Sequence, residues 1–141
     1  METASKGGNL LLNIGPMADG RWPPEAVERM RAIGEWMDDH ESTIHGTTAS
    51  LFRKAAGFRS TTGYRELNLF VTEWHPGPLT LVGLRTKPKS AILRLGQGRT
   101  SRLPVTTHEG VHSVVLPATA PGTLLPVVTV RFAGQPEASA T

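Results

Sequence analysis

A chain of 141 residues suffices for one ordinary domain, or for one small domain with a piece of another, and excludes two full domains. Hydrophobic residues at 38%, with 15 glycines and 11 prolines, predict a buried core joined by many turns and few long helices. The formal charge of +3 arises from 15 basic residues scattered singly or in pairs against 12 acidic ones, which argues against a nucleic-acid partner, and the lack of cysteine excludes a disulfide framework and thiolate metal sites while leaving the compartment open.

In chain order, Met1 to Lys6 carry no basic segment leading into an apolar one. The longest apolar runs are a few residues, against the roughly 20 that cross a bilayer, so neither an export signal nor a membrane partner is read here. Localisation is therefore left unassigned. The first predicted element is a strand over Asn9–Ile14, between Gly7-Gly8 and Gly15-Pro16. Its apolar run is continuous, as in strands of parallel α/β sheets that are covered on both faces.

A turn through Met17–Trp22 leads to Pro23-Pro24-Glu25, where proline in the first turn and an adjacent acid suit a helix N-terminus. In the helix that follows, Val27, Met30, Ile33, Gly34 and Met37 form a stripe expected to pack inward. The pattern breaks near His40–Thr43, and a boundary is read at about residue 48. Beyond it, β-rich runs recur at 58–62, 67–74, 79–81, 90–95, 110–116 and 127–132, the spacing of an antiparallel β-sandwich over 49–132. Gly96-Gln97-Gly98 reads as a hairpin turn. The tail 133–141 is small, polar and proline-containing, and is expected to be disordered.

The run Ser5-Lys6-Gly7-Gly8-Asn9-Leu10-Leu11-Leu12-Asn13-Ile14-Gly15-Pro16, with Asp19-Gly20, Pro23 and Ile33-Gly34-Glu35-Trp36 at their offsets, resembles the end of the catalytic barrel in α-L-fucosidases of glycoside hydrolase family 29. Leu67–Trp74 and Leu79–Leu84, followed by Lys87, Lys89-Ser90-Ala91 and Leu93, resemble the C-terminal β-domain of that family. The resemblance implies an α+β, mainly β chain. Residues 1–48 would be the last strand and helix of a (β/α)8-type barrel, and 49–132 the following β-domain. Glu41 stands where the family carries its helix-stopping glycine, so a different cap is expected.

For function, the resemblance implies retaining hydrolysis of terminal α-L-fucosyl linkages in glycans, using two carboxyl groups roughly 5–5.5 Å apart and no cofactor. Neither catalytic motif of the family is matched in these residues, so no catalytic residue is assigned and the chain alone is expected to be inactive. Two residues near the expected barrel mouth are weak candidates for substrate contact. Asn13 interrupts the apolar run, and Asp19 lies in the loop after it, although the following Gly20 also suits a plain turn.

Other combinations are weaker. His108 and His112 have the ligand spacing of a helix, but Thr106-Thr107-His108-Glu109-Gly110 reads as a turn between strands, so no metal site is assigned. Tyr64, Trp74 and His75 could form a sugar-stacking platform, or Trp74 could serve the core or a domain contact. The alternative function is thus a glycan-binding or structural β-sandwich module. Expected partners are a fucosylated glycan through the parent enzyme, an N-terminal catalytic fragment, or a second copy meeting the exposed strand.

Overall fold

The structure, a computed structural model, describes residues 1–53 and 55–139. It is mainly β, with two antiparallel sheets and little helix. The helices are α1 (Glu2–Ser5) and α2 (Pro24–His40), and α2 runs on into a 3-10 turn at Glu41–Thr43. The strands are β1 (Phe58–Gly63), β2 (Glu66–Val71), β3 (Gly77–Leu81), β4 (Ser90–Gly96), β5 (Arg99–Leu103), β6 (Val105–His108), β7 (Val111–Leu116) and β8 (Val127–Arg131). One sheet has the order β1-β2-β8-β4-β5, the other β3-β7-β6.

Alternation decides which side of each strand is buried. Leu67, Leu69 and Val71 on β2, Val128 and Val130 on β8, and Ala91 and Leu93 on β4 meet Leu81, Val114 and Leu116 of the smaller sheet in one core. Each burial removes apolar surface from water at about 25 cal/mol per Å². The opposite face of the larger sheet carries Phe70 and Val127, and α2 lies over them through Trp36.

Several expectations are corrected. Residues 9–14 form no strand: Leu10, Leu11 and Leu12 are 73%, 85% and 53% exposed. A strand satisfies its backbone groups only against a neighbour, and none lies beside this run among the described residues. The stripe of α2 is likewise outward, with Val27, Met30 and Ile33 exposed, while Trp36 and His40 are the buried pair. The helix instead packs its Trp36 on the Phe70–Val127 patch of the larger sheet. Glu41 needs no left-handed cap, because it stays right-handed at φ −49° and the chain turns only at Gly46, φ +73°.

Two strands have no clear signal in the sequence pattern. β5 and β6 are short, polar edge strands, and residues 106–108, read as part of a turn, pair with β7. The hairpin at Gly96–Gly98 does join β4 to β5. The tail expected to be disordered is held through Ser139. The Gln135 side chain donates to Gly63 O at 3.1 Å, Arg85 N–H donates to Glu137 O, Ser139 N–H donates to Gly83 O, and Ala138 bridges to Leu84. Residues 140 and 141 lie outside the described residues.

Candidate functional site

Of the sequence candidates, Asn13 lies beside the exposed Val27 and Met30 of α2, and Asp19 lies in the loop that leads into α2. After Pro16 the chain turns tightly: Met17 N–H donates to Arg21 O and Gly20 N–H to Met17 O, with Gly20 at φ +81°. Asp19 clamps this turn. Its carboxylate accepts the Arg21 backbone N–H at 3.1 Å and the Arg21 Nε–H at 2.7 Å, with a further guanidinium nitrogen at 2.6 Å. These hydrogen bonds from Arg21 hold the carboxyl below the usual aspartate range. A group held ionised in this way is the reverse of a glycosidase acid, which must keep its proton near neutrality. Asn13 is exposed and lines a recess of about 370 Å³ with Leu12, Ile14, Trp22, Val27 and Met30.

A larger recess of about 850 Å³ lies between α1, residues 7–10, the Ile33–Met37 part of α2 and the segment 44–49. Most of its wall is apolar. Its floor is anchored by Trp36, whose indole Nε1–H donates to Leu125 O at 3.1 Å. The indole stacks on His40 with centroids 4.5 Å apart and meets the Phe70 ring at 6.2 Å. The His40 Nδ1 lies 2.8 Å from Trp36 O, which fixes it as the donor nitrogen because a carbonyl can only accept. From there Thr43 Oγ1 donates to His40 O and Thr61 Oγ1 on β1 donates to Thr43 O, so the end of α2 is tied to the sheet by side chains. The sequence carried a signal for this anchor in Trp36 and His40, four apart on one helix face, with Thr43 three further on.

The aromatic platform is not assembled. Tyr64 stands 78% exposed at the β1–β2 turn, with the Arg65 guanidinium 5.0 Å from its ring centre. Trp74 follows the far end of β2, about 20 Å away at the rise of an extended strand, and its Nε1–H donates to Pro117 O. His75 is beside Trp74 in sequence and lies 3.7 Å from Glu73. His112 is buried on β7 with its Nδ1 2.8 Å from Thr107 Oγ1, across the hairpin that also holds His108. Among the described residues no three His, Cys, Asp or Glu side chains gather as a metal site.

Comparison with known proteins identifies what this arrangement belongs to. The family model described as α-L-fucosidase matches residues 1–42. An α-L-fucosidase of Branchiostoma floridae is 36% identical over 99 residues, covering 67% of this chain and 22% of the relative. Plasma α-L-fucosidase of Rattus norvegicus is 47% identical over 47 residues, which cover 33% of this chain and 10% of that protein. Among solved structures, α-L-fucosidase isoenzyme 1 from Paenibacillus thiaminolyticus aligns with a TM-score of 0.80 at 28% identity, over 93% of this chain and 32% of that one. The family 29 α-L-fucosidase from Bacteroides thetaiotaomicron aligns with a TM-score of 0.77 at 25% identity, over 94% and 30%. The chain therefore spans less than a third of these relatives. Its first residues match the family and nearly all of its fold aligns with solved fucosidases, so the chain belongs to the α-L-fucosidase family as a C-terminal portion.

Proposed function

We propose that this chain is the non-catalytic C-terminal portion of a retaining α-L-fucosidase, which removes terminal α-L-fucosyl groups from glycans. Residues 1–48 supply the last strand and helix of the catalytic barrel, and 49–132 form the β-sandwich that buttresses it. Both catalytic carboxyl groups come from the rest of the barrel, so the chain by itself does not hydrolyse fucosides. Asn13 and Asp19 sit at the mouth of the completed barrel, Asn13 as an amide partner for a neighbouring loop and Asp19 as the clamp of its own turn.

The observation that carries this reading is the apolar surface left on one side of the molecule. Leu10, Leu11 and Leu12 are exposed beside the exposed stripe Val27, Met30 and Ile33. A run whose sequence suits a strand covered on both faces, unpaired beside a helix with a bare apolar stripe, has the character of a βα unit taken from its sheet. The share of relatives spanned, 10% to 32%, agrees with an occupant supplied by the family's preceding barrel strands and helices.

Hydrolysis of a chromogenic aryl α-L-fucoside tests the proposal. The purified chain is expected to be silent. Co-refolding with the catalytic portion of a family enzyme that lacks its own C-terminal part is expected to restore turnover. Hydrolysis by the chain alone would overturn the assignment of the chemistry to missing residues.

A further inference from the structure

The basic residues that are scattered in sequence are gathered by the sheet. In the larger sheet β5, β4 and β8 are neighbours, with Arg94 opposite Thr100 and Val127, Ile92 opposite Arg102 and Thr129, and Ser90 opposite Arg131. Ala91, Leu93, Leu103, Val128 and Val130 point into the core, so alternation puts Arg94, Arg102 and Arg131 together on the outer face. Arg94 and Arg102 are diagonal neighbours, about 7–8 Å apart at Cβ. α2 packs over Phe70 and Val127, in the same cross-strand row as the partly covered Arg94, and leaves Arg102 and Arg131 exposed.

Arg94 is the fixed member. Its Nε–H donates to Thr129 Oγ1 at 3.1 Å, and the Thr129 hydroxyl donates to Asn68 Oδ1 at 2.8 Å. Thr129 and Asn68 are fully buried, which holds the guanidinium to one position on the sheet. Burial lowers its pKa, Glu66 on β2 opposes that, and Arg131 adds to it. Among the described residues no carboxylate lies within 4 Å of Arg94, Arg102 or Arg131 as an ion pair. Asp39, which reaches the hairpin end of the face from α2, already accepts the Gln97 N–H at 2.7 Å. Lys89 and Arg102 line an adjoining recess of about 390 Å³. Arg131 lies further along the face, opposite Ser90 on β4 and Glu66 on β2, so the face presents one positioned, half-desolvated guanidinium with Arg102 diagonal to it and Arg131 beyond, donors suited to anionic oxygens in a fork geometry.

The geometry points to a binding face for an anionic sugar chain, bearing sulfate or carboxylate groups, on the Arg94–Arg102–Arg131 side of the larger sheet. The choice of a glycan among polyanions rests on the fucosidase reading. It also agrees with the absence of any Phe, Tyr or Trp among the residues of this half-face, since single-stranded nucleic acid is held by stacking on aromatic rings.

Calorimetric titration of the 141-residue chain tests it with three probes of matched length: a heparin oligosaccharide, an oligogalacturonate and a dT oligonucleotide. Binding to heparin alone assigns the site to sulfate, and binding to both sugars assigns it to either anion. The exposed pair Arg102→Gln with Arg131→Gln is expected to weaken sugar binding about tenfold or more, as loss of charged hydrogen bonds predicts. The charge-matched pair Arg29→Gln with Arg31→Gln on α2 is expected to leave it within about twofold, because those charges lie on another element. No sugar binding, equal loss in both pairs, or tighter binding of the oligonucleotide would each overturn the proposal. None of these outcomes bears on whether the chain complements a catalytic portion, so the two readings fail separately.

Discussion

Trp36 holds α2 to the sheet through three separate contacts: the Leu125 hydrogen bond, the His40 stack and the Phe70 ring. Replacing it with alanine removes all three, and truncation of a buried aromatic costs about 3–5 kcal/mol. Because the main core lies on the other side of the sheet, the loss is expected first as faster amide exchange over residues 24–43, with the strands still protected. Unchanged protection in α2 would show that another contact holds it. At the opposite end of the size scale, Glu2 is held by hydrogen bonds from Lys6, then Arg59, which push its carboxyl from 4.5 down to about 2. A carboxyl lowered by folding contributes stability that is complete above its unfolded pKa and is lost as pH falls through the folded one. The attachment of α1 to β1 is therefore expected to loosen between about pH 4.5 and about 2. The measurement is an NMR titration of Glu2 beside amide exchange in residues 1–6, and a Glu2 midpoint near 4.5 would remove the effect.

At the level of elements, the core strands are the ones whose sequences announce them. Leu67, Leu69 and Val71 alternate with Glu66, Asn68 and Phe70 and share the core face as that alternation predicts, while Asn68 and Phe70 are buried on the other face, where α2 packs on Phe70. Leu69→Ala leaves a cavity where the side chain is fully buried and is expected to destabilise the chain by about 2–5 kcal/mol in urea unfolding. β5, Arg99-Thr100-Ser101-Arg102-Leu103, was not legible because only Leu103 is buried, and an edge strand of this composition has the texture of a loop. β6 was hidden for the same reason. The strand expected at Asn9–Ile14 shows the converse case: its composition is right for a strand, but strand formation needs a partner outside the element. The direction faced by α2 was also beyond the sequence, since its exposed stripe and its buried Trp36–His40 pair are both plausible inner faces until the sheet beneath is known. Of the candidate site, the Asp19 turn was legible from Asp-Gly chemistry. The separation of Tyr64 from Trp74 and the gathering of Arg94, Arg102 and Arg131 depend on register, which no local pattern encodes.

Across the whole molecule, the two faces of the larger sheet have different duties. One closes the core, and the other carries α2 and, through it, the apolar surface of Leu10–Leu12 and Ile33. Leu11→Lys separates folding from assembly. With Leu11 85% exposed, the change is expected to move the stability of the isolated chain by no more than about 0.5 kcal/mol. The same substitution is expected to abolish complementation of a catalytic portion, read as fucoside hydrolysis after co-refolding. Retained complementation would show that this run stays outside the interface.

The place of β8 reaches further than the static fold. It is the last strand in sequence but the middle strand of its sheet, paired with β2 on one side and β4 on the other. During synthesis, at about 5–20 residues per second, β1-β2 and β4-β5 emerge as two hairpins with nothing to join them until β8 has left the ribosome. The sheet is thus zipped by the last of its strands to be made. A chain interrupted before residue 127 loses the keystone strand instead of a fringe, and leaves the two hairpins unjoined for chaperones and proteases to find.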